Sequence, residues 1–334
     1  MSGHLMGRPR AKQGKAGLTR LLQNHTLAAP RAPAAGPCPE VAVAVQSVLP
    51  LARRALVLVA LWIPAAPAAS RELTDAIHIA ASVPLLQTFA NRIGGGFIRA
   101  QTLVPSGRSL DRFTLGADPA ALTQARLFIH GGSPTELAWL PRLKAARPNL
   151  KVVDLGAGLA AAGQALTPDP YPWTSTPLAK RMAWGIRDAL IALDPPQAGA
   201  YRVRAAGLAS DLDDLDAALR ETLSPVAARR FLALDPVWGQ YARTYGLTQV
   251  SLAESGAESG GQAQATPGSV FGLIDLALRE DVRAVFVLPG ADARLAAQLA
   301  QAIGGRSARL DPLAPDYFET LRRAAALIAD AELQ

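Results

Sequence analysis

From residue 77 onward, short apolar runs alternate with stretches of helical periodicity. Residues 77–82 read as a strand, and 84–93 as a helix opened by Pro84 and closed by Gly94, Gly95 and Gly96. Residues 97–103 form the next strand. Residues 119–125 suit a helix with Asp118 as N-cap and a proline at its first position. A strand over 126–130, a helix over 136–146 and a strand over 151–154 follow. Alternation of this kind predicts parallel βαβ units.

The alternation stops after Leu155. Between Pro177 and Leu223 there are only two helical stretches, separated by Asp194-Pro195-Pro196. The second, 198–223, sets Leu208, Leu212, Leu215 and Leu219 three and four residues apart among charged positions, the pattern of one buried helix face. Strands over 230–234, 247–252, 284–288 and 308–310 then alternate with helices over 236–245, 270–280, 291–303 and from 316 onward, with a Gly/Ser/Glu/Gln loop at 253–266. The expected fold is α/β: two βαβ-type lobes with parallel-rich sheets, over 71–195 and 224–334, joined by one long rigid helix over 196–223.

Charge divides the chain at its leader. Of 34 Lys/Arg and 27 Asp/Glu, residues 1–70 hold eight basic residues and one acid, Glu40, which leaves 26 of each for 71–334. The pI near 10.0 therefore belongs to the leader. Without a basic balance in the folded part, a nucleic-acid partner is not expected. Arg53-Arg54, the apolar run 55–63 and the small residues 65–70 have the order of a secretory signal, expected over 48–69 with cleavage near Ala68 or Ala69. The run is too short to span a bilayer, so the mature chain is expected in the periplasm and not embedded in the membrane. Residues 1–47 read either as a disordered extension or as the product of a start codon assigned too early. The single cysteine, Cys38, lies in this leader, so the mature chain has neither a disulfide nor a thiolate ligand.

No G-x-S-x-G elbow, H-E-x-x-H helix or phosphate-binding loop is present, and no nucleophile–base pair can be placed, so an enzyme is not expected. Gly156-Ala157-Gly158 after the strand 151–154 imitates a dinucleotide fingerprint, but a Pro-rich loop arrives before any helix, and a plain turn at the strand end is the expectation. More telling are Asp169-Pro170-Tyr171-Pro172-Trp173, Asp235-Pro236-Val237-Trp238-Gly239 and Leu310-Asp311-Pro312-Leu313. Two of the three put an aspartate at the end of an apolar run, where open α/β domains hold ligands. A structural role is also open to them. Asp235 and Asp311 could cap helices, and Tyr171 could pack on Trp173. His78 reads as a core residue, and His130, before Gly131-Gly132, could line a cleft or support a ligand from behind.

Read in order, these phrases resemble a known family. Ser82-Val83-Pro84-Leu85, Ile93-Gly94-Gly95, Leu103-Val104-Pro105-Ser106-Gly107, the run 238–247 and Leu310-Asp311-Pro312-Leu313 are similar to segments of the periplasmic metal-binding proteins of zinc and manganese ABC transporters, the cluster A-I solute-binding family. The resemblance implies a metal cleft between the lobes, with Asp111 and Tyr171 from the first and Asp235 and Asp311 from the second. It also departs from the family. Asp111 and Tyr171 stand where the family has histidines, and Asp235 where it has histidine or glutamate; Asp311 is kept. The His- and acid-rich loop is absent, since 156–168 carries no charge.

Three carboxylates and a phenol match zinc poorly, because zinc prefers imidazole and thiolate. They suit a hard cation, Mn or Fe, and the phenol biases the set towards Fe³⁺, which is acidic enough to ionise it. The resemblance thus implies a monomeric carrier that captures a metal ion, Mn or Fe before Zn, for an ABC permease and its ATPase. Two alternatives stay open: the same scaffold binding a metal chelate or small organic solute, and a periplasmic metal chaperone without a permease.

Overall fold

The computed structural model describes residues 76–111, 113–116, 120–163, 171–227, 229–251, 267–290 and 292–332. The expected extension 1–47, the signal 48–69, the Asp118 cap and the 253–266 loop lie outside the described residues.

Two four-stranded sheets, both fully parallel, organise the described chain. The first contains β1 (Ile77–Ala81), β2 (Ile98–Thr102), β3 (Leu127–His130) and β4 (Lys151–Asp154) in the order β2-β1-β3-β4. The second repeats that order with β5 (Arg230–Ala233), β6 (Thr248–Ser251), β7 (Ala284–Val287) and β8 (Arg306–Arg309), as β6-β5-β7-β8. Registers such as Ile77↔Ile98 and Ile79↔Leu127 in one sheet, and Leu232↔Val250 and Leu232↔Val285 in the other, make β1 and β5 the central strands from which the chain winds outward in both directions. Each sheet therefore has a switch point beside its first strand, with a crevice beyond the carboxyl ends there.

The helices follow local chemistry. Pro84 sits in the first turn of α1 (Pro84–Gly94), and Gly95 ends it at φ 57°, a conformation that glycine reaches without steric cost. At α2 (Pro134–Ala146), the Ser133 hydroxyl accepts from the Glu136 N–H, and the Glu136 carboxylate accepts from the Ser133 N–H at 2.7 Å and the Gly131 N–H at 3.0 Å. The Gly156-Ala157-Gly158 segment is not the expected turn. It forms a short helix, α3 (Leu155–Ala161), capped by Asp154, whose carboxylate accepts from the Ala157 N–H. Gly156 serves close packing there: a Cβ on it would lie 2.3 Å from the Gly131 carbonyl oxygen.

α4 (Thr176–Leu193) and α5 (Ala198–Leu223) carry the chain from one sheet to the other. The 26 residues of α5 span about 39 Å at 1.5 Å each. Its buried face, including Tyr201, Leu208, Leu212, Leu215, Leu219 and Leu223, packs on α1 and α4 beside the first sheet, and on α6 (Gly239–Tyr245) and α9 (Tyr317–Glu332) beside the second. Tyr201, buried, donates its hydroxyl to Asp194 at 2.9 Å, fixing the α4–α5 corner. The second sheet is flanked by α7 (Pro267–Arg279) and α8 (Ala293–Ala302), whose cap, Asp292, accepts from the Arg294 N–H.

Asp216 ties three of these helices together. Its carboxylate on α5 lies 2.6 Å from the Thr176 hydroxyl at the start of α4 and 3.1 Å from the Tyr245 hydroxyl at the end of α6, and it accepts from Arg220 Nε at 2.7 Å. Burial alone would raise the carboxyl's pKa. The bonds from Arg220, Thr176 and Tyr245 outweigh that effect and hold it below its ordinary 3.8. Asp216→Ala removes the acceptor shared by the Thr176 and Tyr245 hydroxyls, which keep only their mutual contact at 2.8 Å, and denaturant unfolding should show a loss of about 1 kcal/mol, most of it from this buried pair because the Arg220 pair is solvent-screened. The sign of its pH dependence follows from the lowered pKa. The folded state binds the proton less tightly, so this contribution is complete above pH 3.8 and fades as the pH falls through the lower folded value. The stability difference between wild type and Asp216→Ala should therefore be flat from pH 5 to 8 and shrink below pH 3.8, as read by unfolding curves at each pH.

Candidate functional site at the carboxyl ends of the two sheets

The candidate residues fall where the strands end. Asp111 lies in the loop after β2, His130 is the last residue of β3, Tyr171 precedes a short 3-10 turn (Pro172–Thr174), Asp235 lies two residues past β5 and Asp311 two past β8. Parallel strands leave their carboxyl ends on one edge of a sheet, so sequence-distant loops converge there.

Tyr171 and Asp111 do meet. The phenol donates to Asp111 Oδ2 at 2.8 Å, from a side chain that is only 2% exposed to an aspartate on the surface. Tyr171 also packs edge-on against Trp173 with ring centroids 5.3 Å apart, so the packing role left open in the sequence is real and coexists with the polar one. Trp173 is in turn anchored to the second lobe, because the Tyr317 hydroxyl on α9 donates to the Trp173 carbonyl at 2.7 Å.

Asp311 reaches the same place from the other side. A cleft with roughly 230 Å³ of empty space, part of it open to solvent, is lined by the 107–109 loop and Tyr171 on one side, and by Leu288, Pro289 and the 311–313 turn on the other. Asp311 Oδ2 accepts the Gly107 N–H across the cleft at 3.2 Å, and Oδ1 accepts the Leu313 N–H within its own turn at 2.9 Å. Asp311 is thus no helix cap, since α9 begins at Tyr317. Burial pushes its carboxyl up, the Leu313 and Gly107 N–H groups pull it down, and Asp316 adds to the upward push; the net direction is upward. A half-buried carboxylate held in this state favours a cation beside it.

Asp235 and His130 lie apart from this cleft lining. Asp235 is half-buried in the turn between β5 and α6, where the Val237 N–H donates to its carbonyl at 2.8 Å; the cap position of α6 is occupied by Trp238. His130 is fully buried and stacked on Phe128, and its Nδ1 accepts the Gly132 N–H at 3.2 Å, which leaves the proton on Nε2. Burial lowers its pKa against the opposing pull of Glu136 and Asp154, so the imidazole is neutral. His78, expected in the core, is only half-buried. Among the described residues, no three His, Cys, Asp or Glu side chains form a group that could hold a metal ion. Sequence reasoning passed over Arg108, which lines the cleft beside Tyr171 and Asp311; its place in the 103–111 loop was the only signal available.

Comparison with known proteins bears on this geometry. The family profile described as zinc-uptake complex component A, periplasmic (ZnuA), matches residues 79–331. The manganese-binding lipoprotein MntA of Halalkalibacterium halodurans is 24% identical over 64% of this chain and 71% of its own length. The high-affinity zinc uptake system protein ZnuA of Paracoccus denitrificans is 32% identical over 29% of this chain and 31% of its own. A crystal structure of ZnuA superposes with a TM-score of 0.68 and 32% identity, covering 77% of this chain and 99% of that one. The chain therefore spans only part of each curated relative but nearly all of the solved neighbour. With the profile running from β1 into α9 across both lobes, the chain belongs to the zinc-uptake complex component A family of periplasmic solute-binding proteins.

Proposed function

We propose that this protein captures a hard metal ion in the cleft between its lobes and delivers it to the permease and ATPase of an ABC importer, catalysing no reaction. The observation that carries this reading is the meeting of Tyr171, hydrogen-bonded to Asp111, with Asp311 of the other lobe at one cleft. Relatives named for manganese and for zinc support a metal as cargo. The donor chemistry favours manganese or iron over zinc, because carboxylate and phenol oxygens replace the imidazoles that zinc prefers. Asp111, Tyr171 and Asp311 are the core of the proposed ligand set. Asp235, at the carboxyl end of β5, is the fourth member, and His130 supports the first lobe from its buried position.

In this reading the segment 48–69 exports the chain, and the protein works as a periplasmic monomer. No helix among the described residues is long and apolar enough to cross a membrane. Because α5 packs along both lobes, cargo exchange would proceed by small tilts and loop rearrangement rather than wide opening.

Competition of Mn²⁺, Fe³⁺ and Zn²⁺ for the purified protein, read by elemental analysis after dialysis, should leave manganese or iron in excess over zinc at about one ion per chain. Asp111→Ala and Asp311→Ala should each weaken binding at least tenfold, about 1.4 kcal/mol or more. Tyr171→Phe removes only the phenol oxygen and should act in the same direction with little loss of stability. Unchanged metal content in all three variants would sink the assignment. Asp235→Ala decides separately whether the fourth residue belongs to the set.

A further inference from the structure

Arg108 stands out in the cleft. It lies in the 107–109 loop beside Tyr171 and opposite Asp311, and its side chain has no ion pair or hydrogen bond among the described residues. Exposed arginines without a side-chain partner occur elsewhere in the fold, Arg99 and Arg202 among them, but Arg108 is the one that lines the cleft. Asp311, the acid nearest to hand in the cleft lining, directs its oxygens to the N–H groups of Gly107 and Leu313 instead. A guanidinium keeps its charge at every physiological pH. A cleft meant for a bare cation would thus carry a permanent like charge in its wall.

A second observation points the same way. Hard cations of the manganese and iron class take about six oxygen donors. The side chains brought to this cleft supply fewer, and no group of three His, Cys, Asp or Glu residues forms among the described residues. The remaining oxygens come from water or arrive with the ion. A small oxyanion meets both conditions, since some of its oxygens coordinate the metal while others accept two parallel N–H bonds from a guanidinium.

We propose, on the metal-capture reading above, that the cleft binds its cation together with one small oxyanion of the carbonate, phosphate or dicarboxylate kind, held between the ion and Arg108. Arg108 is then a specificity residue: it selects the ion–anion pair and disfavours the naked ion. Nothing is oxidised, reduced or transferred.

Mn²⁺ titration of the full protein in a chloride buffer free of oxyanions, repeated with bicarbonate, phosphate or oxalate, tests the idea and separates the sources. At least one arm should tighten Mn²⁺ binding tenfold or more, with one labelled anion retained per bound ion on gel filtration. Arg108→Ala should abolish that enhancement, while Arg108→Lys, which keeps the charge but not the fork, should restore only part of it. Thermal melts of both variants should match wild type, as the side chain is exposed. Equal Mn²⁺ affinity with and without every anion overturns this inference and leaves metal capture standing. Enhancement that survives in Arg108→Ala overturns it as well. Failure to bind Mn²⁺ in any arm overturns this inference, and failure to bind Fe³⁺ and Zn²⁺ as well removes the metal-capture reading with it.

Discussion

The constraint on which the rest of the structure depends is the burial of one face of α5 against helices of both sheets. Tyr201, Leu208, Leu212, Leu215, Leu219 and Leu223 are all at most 1% exposed, yet the helices packed on α5 come from both lobes, α1 and α4 from the first and α6 and α9 from the second. Each buried leucine contributes on the order of 2 kcal/mol by its removal from water. Neither lobe can be rebuilt without disturbing the helix that serves both. Asp216 adds direction to this non-directional packing, because its short bonds to Thr176 and Tyr245 set where α4 starts and α6 ends relative to the same helical turn.

With the lobes placed, the functional geometry follows from parallel topology. The two sheets share one strand order, and every candidate donor sits just beyond a strand or in a loop that returns to the strand ends. The lobes nevertheless contribute unequally. The first supplies Tyr171, backed by the buried Trp173, with a surface aspartate at its edge, and the second supplies the half-buried Asp311 in a tight turn. Chemistry at the cleft is therefore set by oxygen atoms, one guanidinium and an apolar floor, a combination unlike an imidazole cage.

Much of the fold was legible in the chain because apolar runs and helical spacing are local. The strands of the first sheet and the α4–α5 break at Asp194-Pro195-Pro196 were readable to within a residue or two. Misreadings trace to residues whose role is set from afar. β8 was expected at 308–310 but runs Arg306–Arg309, because an edge strand with arginines at both ends shows no apolar run. The helix α6 was expected from Pro236 and starts at Gly239, since the Asp235–Val237 turn takes up the intervening residues. Gly156 and Gly158 argue against helix by propensity, and Asp154 forms one anyway by capping it. Within the site, the residue types were legible, but the Tyr171–Asp111 bond joins positions 60 apart and depends on the whole first lobe.

Asp311 has a consequence beyond its place among the candidate donors. One of its oxygens is spoken for inside its own turn, and the other is the acceptor in a bond that crosses between lobes to Gly107. In the proposed reading the latch and the ligand would be the same carboxylate. An ion that claims the crossing oxygen competes with a backbone amide for it, and so exchanges one cross-cleft tie for another. Loaded and empty forms would then differ by a substitution of partners at a nearly fixed gap, and a permease distinguishing them would have to sense the chemistry of the seam rather than its width.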